Sequence, residues 1–492
     1  MTITPSLEEL KRLAADGGYT VAPVRTEVLS DFTTPVEAMR RLMSVSEHCY
    51  LLESAEDNER WGRYSFLGYA PSMVITCKDG RMRVGNRTFE TRRPDEAIRE
   101  VLRAHRSPAL DGFAPFTGGL VGYFAYDYIR YAEPALAGAL AAGGESAFND
   151  VDLMLFDKVI AFDNFRQKLV LIANVRLDGD VEAGYAAAQR ELAEMLELLR
   201  GDRPRARFPG RATGPFKARF SPEKYGVIVE KTKHYIREGD IFQAVPSNRQ
   251  KADFEGSLFG TYRMLRTLNP SPYMFYFSGT DMEAAGASPE TLVRLERGTL
   301  HTFPIAGSRP RGATPEEDAA LERELLADPK ECAEHNMLVD LGRNDLGKIS
   351  RFGTVSVDRY MSILKFSHVM HIGSSVRGEI RPDKDALDAV AAVLPAGTLS
   401  GAPKFRACEI IAELEGDRRG LYGGAVGYID FTGNLDLCIA IRVAYKAGGK
   451  VYVRSGGGVV ADSRPDAEYR ETVNKAAAVL RALELAREED AP

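Results

Sequence analysis

Apolar and polar positions along this chain run in two rhythms. Short runs alternate residue by residue and end at turn dipeptides, the signature of half-buried strands. Asp79-Gly80 separates MVITC from RMRV, and Gly85-Asn86 follows at once. Arg297-Gly298 separates TLVRLE from TLHTF, Gly433-Asn434 separates VGYIDF from LDLCIAIRVAY, and Gly448-Gly449 leads into KVYVRS. Each reads as a β-hairpin. Hairpins join antiparallel neighbours, so much of the chain is expected in antiparallel sheet. There is no regular βαβ alternation and no repeat.

The second rhythm is helical. Ser6 and Glu9 make a capping box for a short helix that Gly17 and Gly18 can end. Residues 180–200 are strong helix formers throughout. A helix from Ser221, with Pro222 at its first position, reaches about Glu238 and stops at Gly239. Thr314 with Glu317 caps a helix to about Ala327. Two more fit Lys330 to about Leu341 and Pro465 to about Arg487. Between the halves, residues 201–222 hold four Pro, three Gly and a basic excess with one acid. That shift predicts a boundary near residue 215, dividing 1–215 from 216–487; a long surface loop is the bland alternative.

Composition narrows the class. Of 492 residues 44% are hydrophobic and 27% charged, ordinary values that exclude disorder as the main state. Lys plus Arg is 64 and Asp plus Glu is 70, so the net charge is 64 − 70 = −6, without the footprint of a nucleic-acid binder. Cys49, Cys77, Cys332, Cys408 and Cys438 are scattered and form no CxxC pair, which points to reduced thiols in a cytoplasm. The polar N-terminus does not read as a signal peptide, and no run of 18 apolar residues occurs to span a membrane.

Several groups can carry chemistry. Glu331 and Glu334 lie three apart on one predicted helix, with His335 next. Glu468 and Glu471 are spaced alike on the last helix, where Lys475 continues the face. Facing pairs of this kind can hold a hard cation through oxygen, although solvated helix faces often look the same. Di-iron is a weaker alternative, because the second helix lacks a matching Glu-x-x-His. Gly456, Gly457 and Gly458 follow a strand; they offer N–H donors to an anion, or only a bulge. Arg442 lies inside the apolar run CIAIRVAY and needs an anionic partner from protein or ligand. Gly307-Ser308 at a strand end and Thr398, Ser400 and Gly401 ahead of a helix are further anion-receptive segments. No P-loop, GxGxxG or nucleophile elbow occurs.

Taken together and in this order, the segments resemble the chorismate-utilising enzymes. The matching motifs are DIFQAVPSNR, GASPETL, TFPIAGSRPRG, KECAEHNMLVDLGRNDLGK, SHVMH, LPAGTLSGAPK, LYGGAVGYIDFTGNLDLCIAIR and SGGGVVADSRPDAEYRETVNKA, covering residues 220–485 nearly end to end. LLES (51–54), RYSFLG (63–68) and NPSPYMFY (269–276) extend the similarity to the large, component I, subunits of anthranilate synthase. The resemblance implies an α+β fold of two large, mainly antiparallel sheets flanked by helices, with an intertwined N-terminal regulatory part. It implies a lyase that turns chorismate and ammonia into anthranilate and pyruvate, the first step of tryptophan biosynthesis.

It also implies roles. Mg²⁺ would be held by Glu334 and Glu471, with Glu331 and Glu468 beside them. Chorismate would meet Gly307, Ser308, Tyr422, Arg442 and the Gly456–Gly458 backbone, with Thr398 and Lys475 nearby. Ser308 stands where Thr is commoner, and its hydroxyl remains. Glu290 would be the general acid for the departing C4 hydroxyl, and His371 would act near C2-proton removal or only orient substrate. The position of the isochorismate and salicylate synthases' water-activating Lys is Gln243, which cannot be that base. The Lys of aminodeoxychorismate synthases is Ala306 here, which leaves C2 to free ammonia. None of the five Cys sits on a glutaminase elbow, so a separate glutamine amidotransferase subunit is implied, in a heterotetramer of two of each. Ser54, Pro272, Tyr273 and Met274 match the family's pocket for inhibitory L-tryptophan. The alternatives are aminodeoxychorismate synthase component I and an inactive tryptophan-binding protein on the same scaffold; Glu290, Glu334 and Glu471 speak against the latter.

Overall fold

Two antiparallel sheets, each of twelve strands among the described residues, form the body of the protein. The computed structural model describes residues 2–55, 62–141, 143–144, 146–201, 208–365 and 369–489. The first sheet begins with five strands from the N-terminal part: Val21–Leu29, Lys168–Arg176, Lys158–Asp163, Tyr64–Tyr69 and Cys49–Glu53. It continues through Tyr273–Ser278, Glu283–Ser288, Val443–Ala447, Lys450–Gly456 and Ser247–Gly256. The seam pairs Leu52 with Phe275 and Glu53 with Met274. The second sheet is joined alike, where Gly119–Phe124 pairs with Ala425–Asp430. Both sheets therefore draw strands from either side of residue 215, and the N-terminal part is intertwined with the rest.

Period-2 side-chain alternation builds the two main cores. Along Tyr273–Ser278, Phe275 and Phe277 point between the sheets, where they meet Tyr50, Phe124 and Phe156. Met274 and Tyr276 point the other way, into a layer shared with Leu192, Tyr262 and Leu483 of the covering helices. Burying each such side chain contributes about 1.5–3 kcal/mol, so a one-residue slip at the seam would exchange both faces at large cost.

All five expected hairpins form; four dipeptides are the whole loop between paired strands, and Gly433-Asn434 is the second half of a four-residue loop, 431–434. The helices form as well. The Ser6 capping box is reciprocal. Thr314 accepts from Glu317 N, but the Glu317 side chain reaches Ala313 N instead of the cap, so that box is only half made. The helix expected to end near Leu341 runs from Pro329 to Gly347, because no breaker precedes Gly342 and the extra turn buries Asp345 and Leu346. Of the predicted linker, residues 202–207 lie outside the described residues, and Gly210–Ala212 and Lys217–Ala218 both pair with Ser247–Gly256. Part of the SHVMH motif, residues 367–368, also lies outside them. Among the described residues no helix is long and apolar enough to cross a membrane.

Candidate active site

Glu290 sits where the chain leaves the first sheet, after Glu283–Ser288, and enters the second at Thr291–Glu296. Its backbone is pinned: Glu290 N donates to Ser288 Oγ at 3.3 Å, and its carbonyl accepts from Ile439 N at 3.0 Å. Thr398 Oγ1, in a 3₁₀ turn, donates to Glu290 Oε1 at 3.0 Å. Both line a cavity of about 440 Å³ shared with Thr302, Leu338 and Asp345. Burial raises the Glu290 carboxyl from 4.5 to about 7, against the opposing pull of Thr398, Lys475 and Arg442.

Arg442 lies at the mirror crossing, between Leu435–Ile439 of the second sheet and Val443–Ala447 of the first. The sequence run CIAIRVAY is therefore not one strand. The chain changes sheets inside it, and Arg442 takes a left-handed φ of +50° at the break. Its carbonyl accepts from Ala287 N, while its guanidinium has no hydrogen-bond or ion-pair partner among the described residues. Burial lowers its pKa and the nearby Glu290 carboxylate opposes that. A half-buried cation in this state suits an anionic ligand.

The glycine run lies against the last helix. A Cβ on Gly457 would come within 3.0 Å of Glu468 Oε2 and 3.3 Å of Glu471 Oε1, so the bare glycine backbone lies close against the carboxylates of the Pro465–Glu489 helix. Lys475 Nζ donates to Gly456 O at 3.1 Å and pairs with Glu471 Oε1 at 2.7 Å. Gln243 is buried with its amide against Gly458, and its Oε1 has no hydrogen-bond partner among the described residues.

The two Glu-x-x-Glu pairs come together. Burial raises the pKa of Glu334, with Glu331 and then Glu471 adding to the rise. Glu468 is raised by burial and by Glu471, against a bond from Ser463, and its Oε2 is buried without a hydrogen-bond partner among the described residues. Such mutual repulsion and an orphaned carboxylate oxygen fit a hard cation between the helices. Among the described residues no three His, Cys, Asp or Glu side chains close on one point. The cation that fits is thus one that takes most of its oxygens from water and substrate, as Mg²⁺ does.

His371 and Gly307 face each other across paired strands with a bulge at Gly307. His371 Nδ1 donates to Gly307 O at 2.8 Å, so in the neutral ring the lone pair is on Nε2, and burial favours that neutral form. Gly307 has φ +66°, and a Cβ there would meet Glu331 Oε2 at 2.9 Å. Ala306 beside it is buried, whereas the Ser308 side chain is exposed. Tyr422 is buried, its ring 5.8 Å from the Arg419 guanidinium.

Ser54, Pro272, Tyr273 and Met274 share a separate cavity of about 740 Å³ at the seam between the sheets. Tyr64, Phe66 and Tyr428 give it aromatic walls, and Arg294 and Asp436 give it opposite charges. Tyr273 Oη donates to Asp436 Oδ1 at 2.8 Å. The two cavities share elements: Thr291 and Leu292 face the first and Arg294 the second, and Ile439 and Cys438 divide in the same way. Sequence reading missed Arg294 and Asp436, which lie on ordinary alternating strands. It also missed the buried pair of Arg419 with Glu415, 2.6 Å apart, signalled only by two adjacent cations in GDRRG.

The chain is similar to several known proteins. Residues 47–481 match the family described as chorismate binding enzyme. The chain is 43% identical to anthranilate synthase component 1 of Acetivibrio thermocellus, covering 98% of this chain and 99% of that one. It is 45% identical to the same component of Pseudomonas aeruginosa, covering 97% and 98%. Anthranilate synthase component I from Streptococcus pneumoniae superposes with a TM-score of 0.75 at 37% identity, over 85% of this chain and 92% of that one. The menaquinone-specific isochorismate synthase of Escherichia coli shares the fold, with a TM-score of 0.69 at 19% identity over 98% and 99%.

Proposed function

This chain belongs to the chorismate binding enzyme family, and on that premise we propose that it is the synthase component that converts chorismate and ammonia to anthranilate and pyruvate, a lyase reaction. The observation that carries the reading is the Glu290–Thr398 pair, a carboxyl poised near neutrality in a cavity beside an unpaired Arg442. In the first step the C2–N bond forms, the ring double bonds shift and the C4–O bond breaks. Glu290 in its protonated form delivers the proton that makes the leaving group water. In the second step the C2 proton leaves and the C3–O bond breaks, releasing pyruvate and an aromatic ring. Neutral His371, with Nδ1–H fixed on Gly307, offers Nε2 for that proton.

Arg442, the Gly456–Gly458 amides, Gly307 and Tyr422 hold the substrate, with its carboxylate on the cationic side and Lys475 close by. Glu334 and Glu471, with Glu331 and Glu468 beside them, would hold Mg²⁺, which supplies positive charge against the substrate carboxylate. Ala306 keeps any amine of the protein away from C2, so free ammonia is the nucleophile. That ammonia comes from a separate glutamine amidotransferase subunit, the partner that the name component 1 of the relatives points to, in a heterotetramer of two of each in the cytoplasm. Tryptophan bound at Ser54, Pro272, Tyr273 and Met274 inhibits the reaction.

The test is direct. Purified chain with chorismate, Mg²⁺ and excess ammonium at alkaline pH should give anthranilate fluorescence. Chorismate consumed without that fluorescence, with an aminated non-aromatic product instead, would assign it to the aminodeoxychorismate branch.

A further inference from the structure

Behind the cavity walls lies a buried ionic pair that packs near the Tyr422 ring and donates no hydrogen bond to a residue placed on the substrate. Arg419, 2% exposed, follows the Lys404–Glu415 helix. Its guanidinium spends its donors on three different segments. Nη1 donates to Leu399 O at 2.6 Å, one residue from Thr398. Nη2 donates to Val245 O at 2.6 Å, two residues from Gln243. Nε and Nη2 reach the Glu415 carboxylate at 3.0 and 2.6 Å. Its face covers the Tyr126 ring, with Cζ 4.4 Å from the centroid.

Glu415 extends the clamp. Its Oε1 accepts from Ser247 N and Oγ at 2.7 and 2.8 Å, and Oε2 lies 3.5 Å from Arg454 on the strand that ends in Gly456. The same segments are also joined by backbone: Val245 N donates to Ser400 O, and Ala244 and Val459 exchange bonds. Burying two ions this deeply is costly unless excellent geometry offsets it, and a hydrophobic core could fill the same volume at lower cost. What a hydrophobic residue could not do is hold two loop carbonyls at fixed distance from one planar fork.

We infer that Arg419 is a positioning residue: seated on Glu415, it fixes the Thr398 turn and the 243–245 segment, and so sets the geometry in which Thr398 holds Glu290. The inference rests on the reaction proposed above, with Glu290 as its acid. Arg419→Lys keeps the charge on Glu415 but replaces the fork by one ammonium that cannot span both carbonyls. A misplaced acid lowers turnover more than binding.

The experiment is a cycle of parent, Arg419→Lys, Thr398→Ala and the double variant, assayed with chorismate, Mg²⁺ and saturating ammonium. Hydrogen exchange is followed by mass spectrometry on the same samples. Arg419→Lys should lose about tenfold or more in kcat with chorismate KM changed less than about threefold. The double variant should be within about twofold of Thr398→Ala alone, because both losses pass through one bond. Peptides covering 396–402 and 243–247 should exchange faster in Arg419→Lys, while those covering Val21–Leu29 should not. Losses that multiply in the double variant, or exchange that rises everywhere equally, would overturn the clamp. If the parent makes no anthranilate, the reaction assignment fails, and the exchange pattern alone decides the clamp: local loosening supports it and none overturns it.

Discussion

Thr398 Oγ1 donates a 3.0 Å hydrogen bond to Glu290 Oε1, and that donor favours the carboxylate while burial favours the acid. The balance leaves Glu290 near 7, and a general acid works only while protonated. At fixed free ammonia, kcat/KM for chorismate should therefore fall as pH rises through about 7. Removing the donor in Thr398→Val takes away the largest pull against burial and leaves only those of Lys475 and Arg442, so the falling limb should move to higher pH. A limb that stays in place in the variant would remove Glu290 from that titration.

The same shift is written into stability. An acid whose folded pKa lies above its unfolded one favours the folded state fully below 4.5 and loses that advantage as pH rises to about 7. Glu290→Gln lacks the titration. Because Glu290 is partly exposed, the gain of the variant over the parent at pH 8 should be about 2 kcal/mol or less, and near zero at pH 4. Urea unfolding of both proteins at the two pH values measures it. Equal differences at pH 4 and pH 8 would contradict the raised pKa.

How much of this was legible in the sequence varies by element. Hairpins at Asp79-Gly80 or Arg297-Gly298 were plain, because a two-residue loop is a local device. The pairing of Leu52 with Phe275 was not, since those residues are more than 200 apart and either would suit many strands. LDLCIAIRVAY reads as one strand because alternation carries no mark of a change of sheet at Arg442. The site residues were visible as types, in the Glu pairs and the glycine run, but a solvated helix face has the same spacing. Only the resemblance ranked them above it. Arg419 was invisible because its partners are backbone carbonyls, Leu399 and Val245, which no side-chain pattern records.

Burial, Glu331 and Glu471 raise the cost of ionising Glu334, so a cation between the two helices should relieve it. Glu334→Gln or Glu471→Gln should raise the Mg²⁺ concentration for half-maximal ammonia-dependent activity by at least about tenfold. Thermal shift gives a readout apart from activity: Mg²⁺ should raise the parent's Tm more than either variant's. Unchanged Mg²⁺ dependence in both variants would place the metal elsewhere.

Ala306 is buried next to Gly307 on the strand that pairs with His371. Ala306→Lys puts a primary amine on the strand that faces His371, where it would compete with ammonia for C2. Anthranilate formation should fall at least about tenfold while chorismate still protects the protein against thermal unfolding. A variant that makes anthranilate at the parent's rate would show that position 306 faces away from C2.

Tryptophan inhibition follows from how the two cavities share elements. The 740 Å³ cavity joins Ser54 of the N-terminal part to Pro272, Tyr273 and Met274 of the C-terminal part. Its aromatic walls suit an indole, and Arg294 and Asp436 are opposite charges for an amino-acid head group. Thr291–Glu296 and Leu435–Ile439 line this cavity at Arg294 and Cys438, and the Glu290 cavity at Leu292 and Ile439. A ligand that shifts those strands at one end moves the other, because packed sheets slide as units and do not bend locally. Inhibition requires tryptophan to bind the shifted arrangement more tightly, and reciprocity then makes chorismate weaken tryptophan by the same factor. Ser54→Ala removes a polar contact and Met274→Thr removes apolar surface from the pocket lining. Each should raise the tryptophan concentration for half-inhibition by about 5- to 100-fold and leave uninhibited turnover within about twofold. Initial rates against chorismate at several tryptophan concentrations, for the parent and both variants, give these values. A parent that tryptophan does not inhibit, or variants inhibited as strongly as the parent, would take tryptophan out of this cavity.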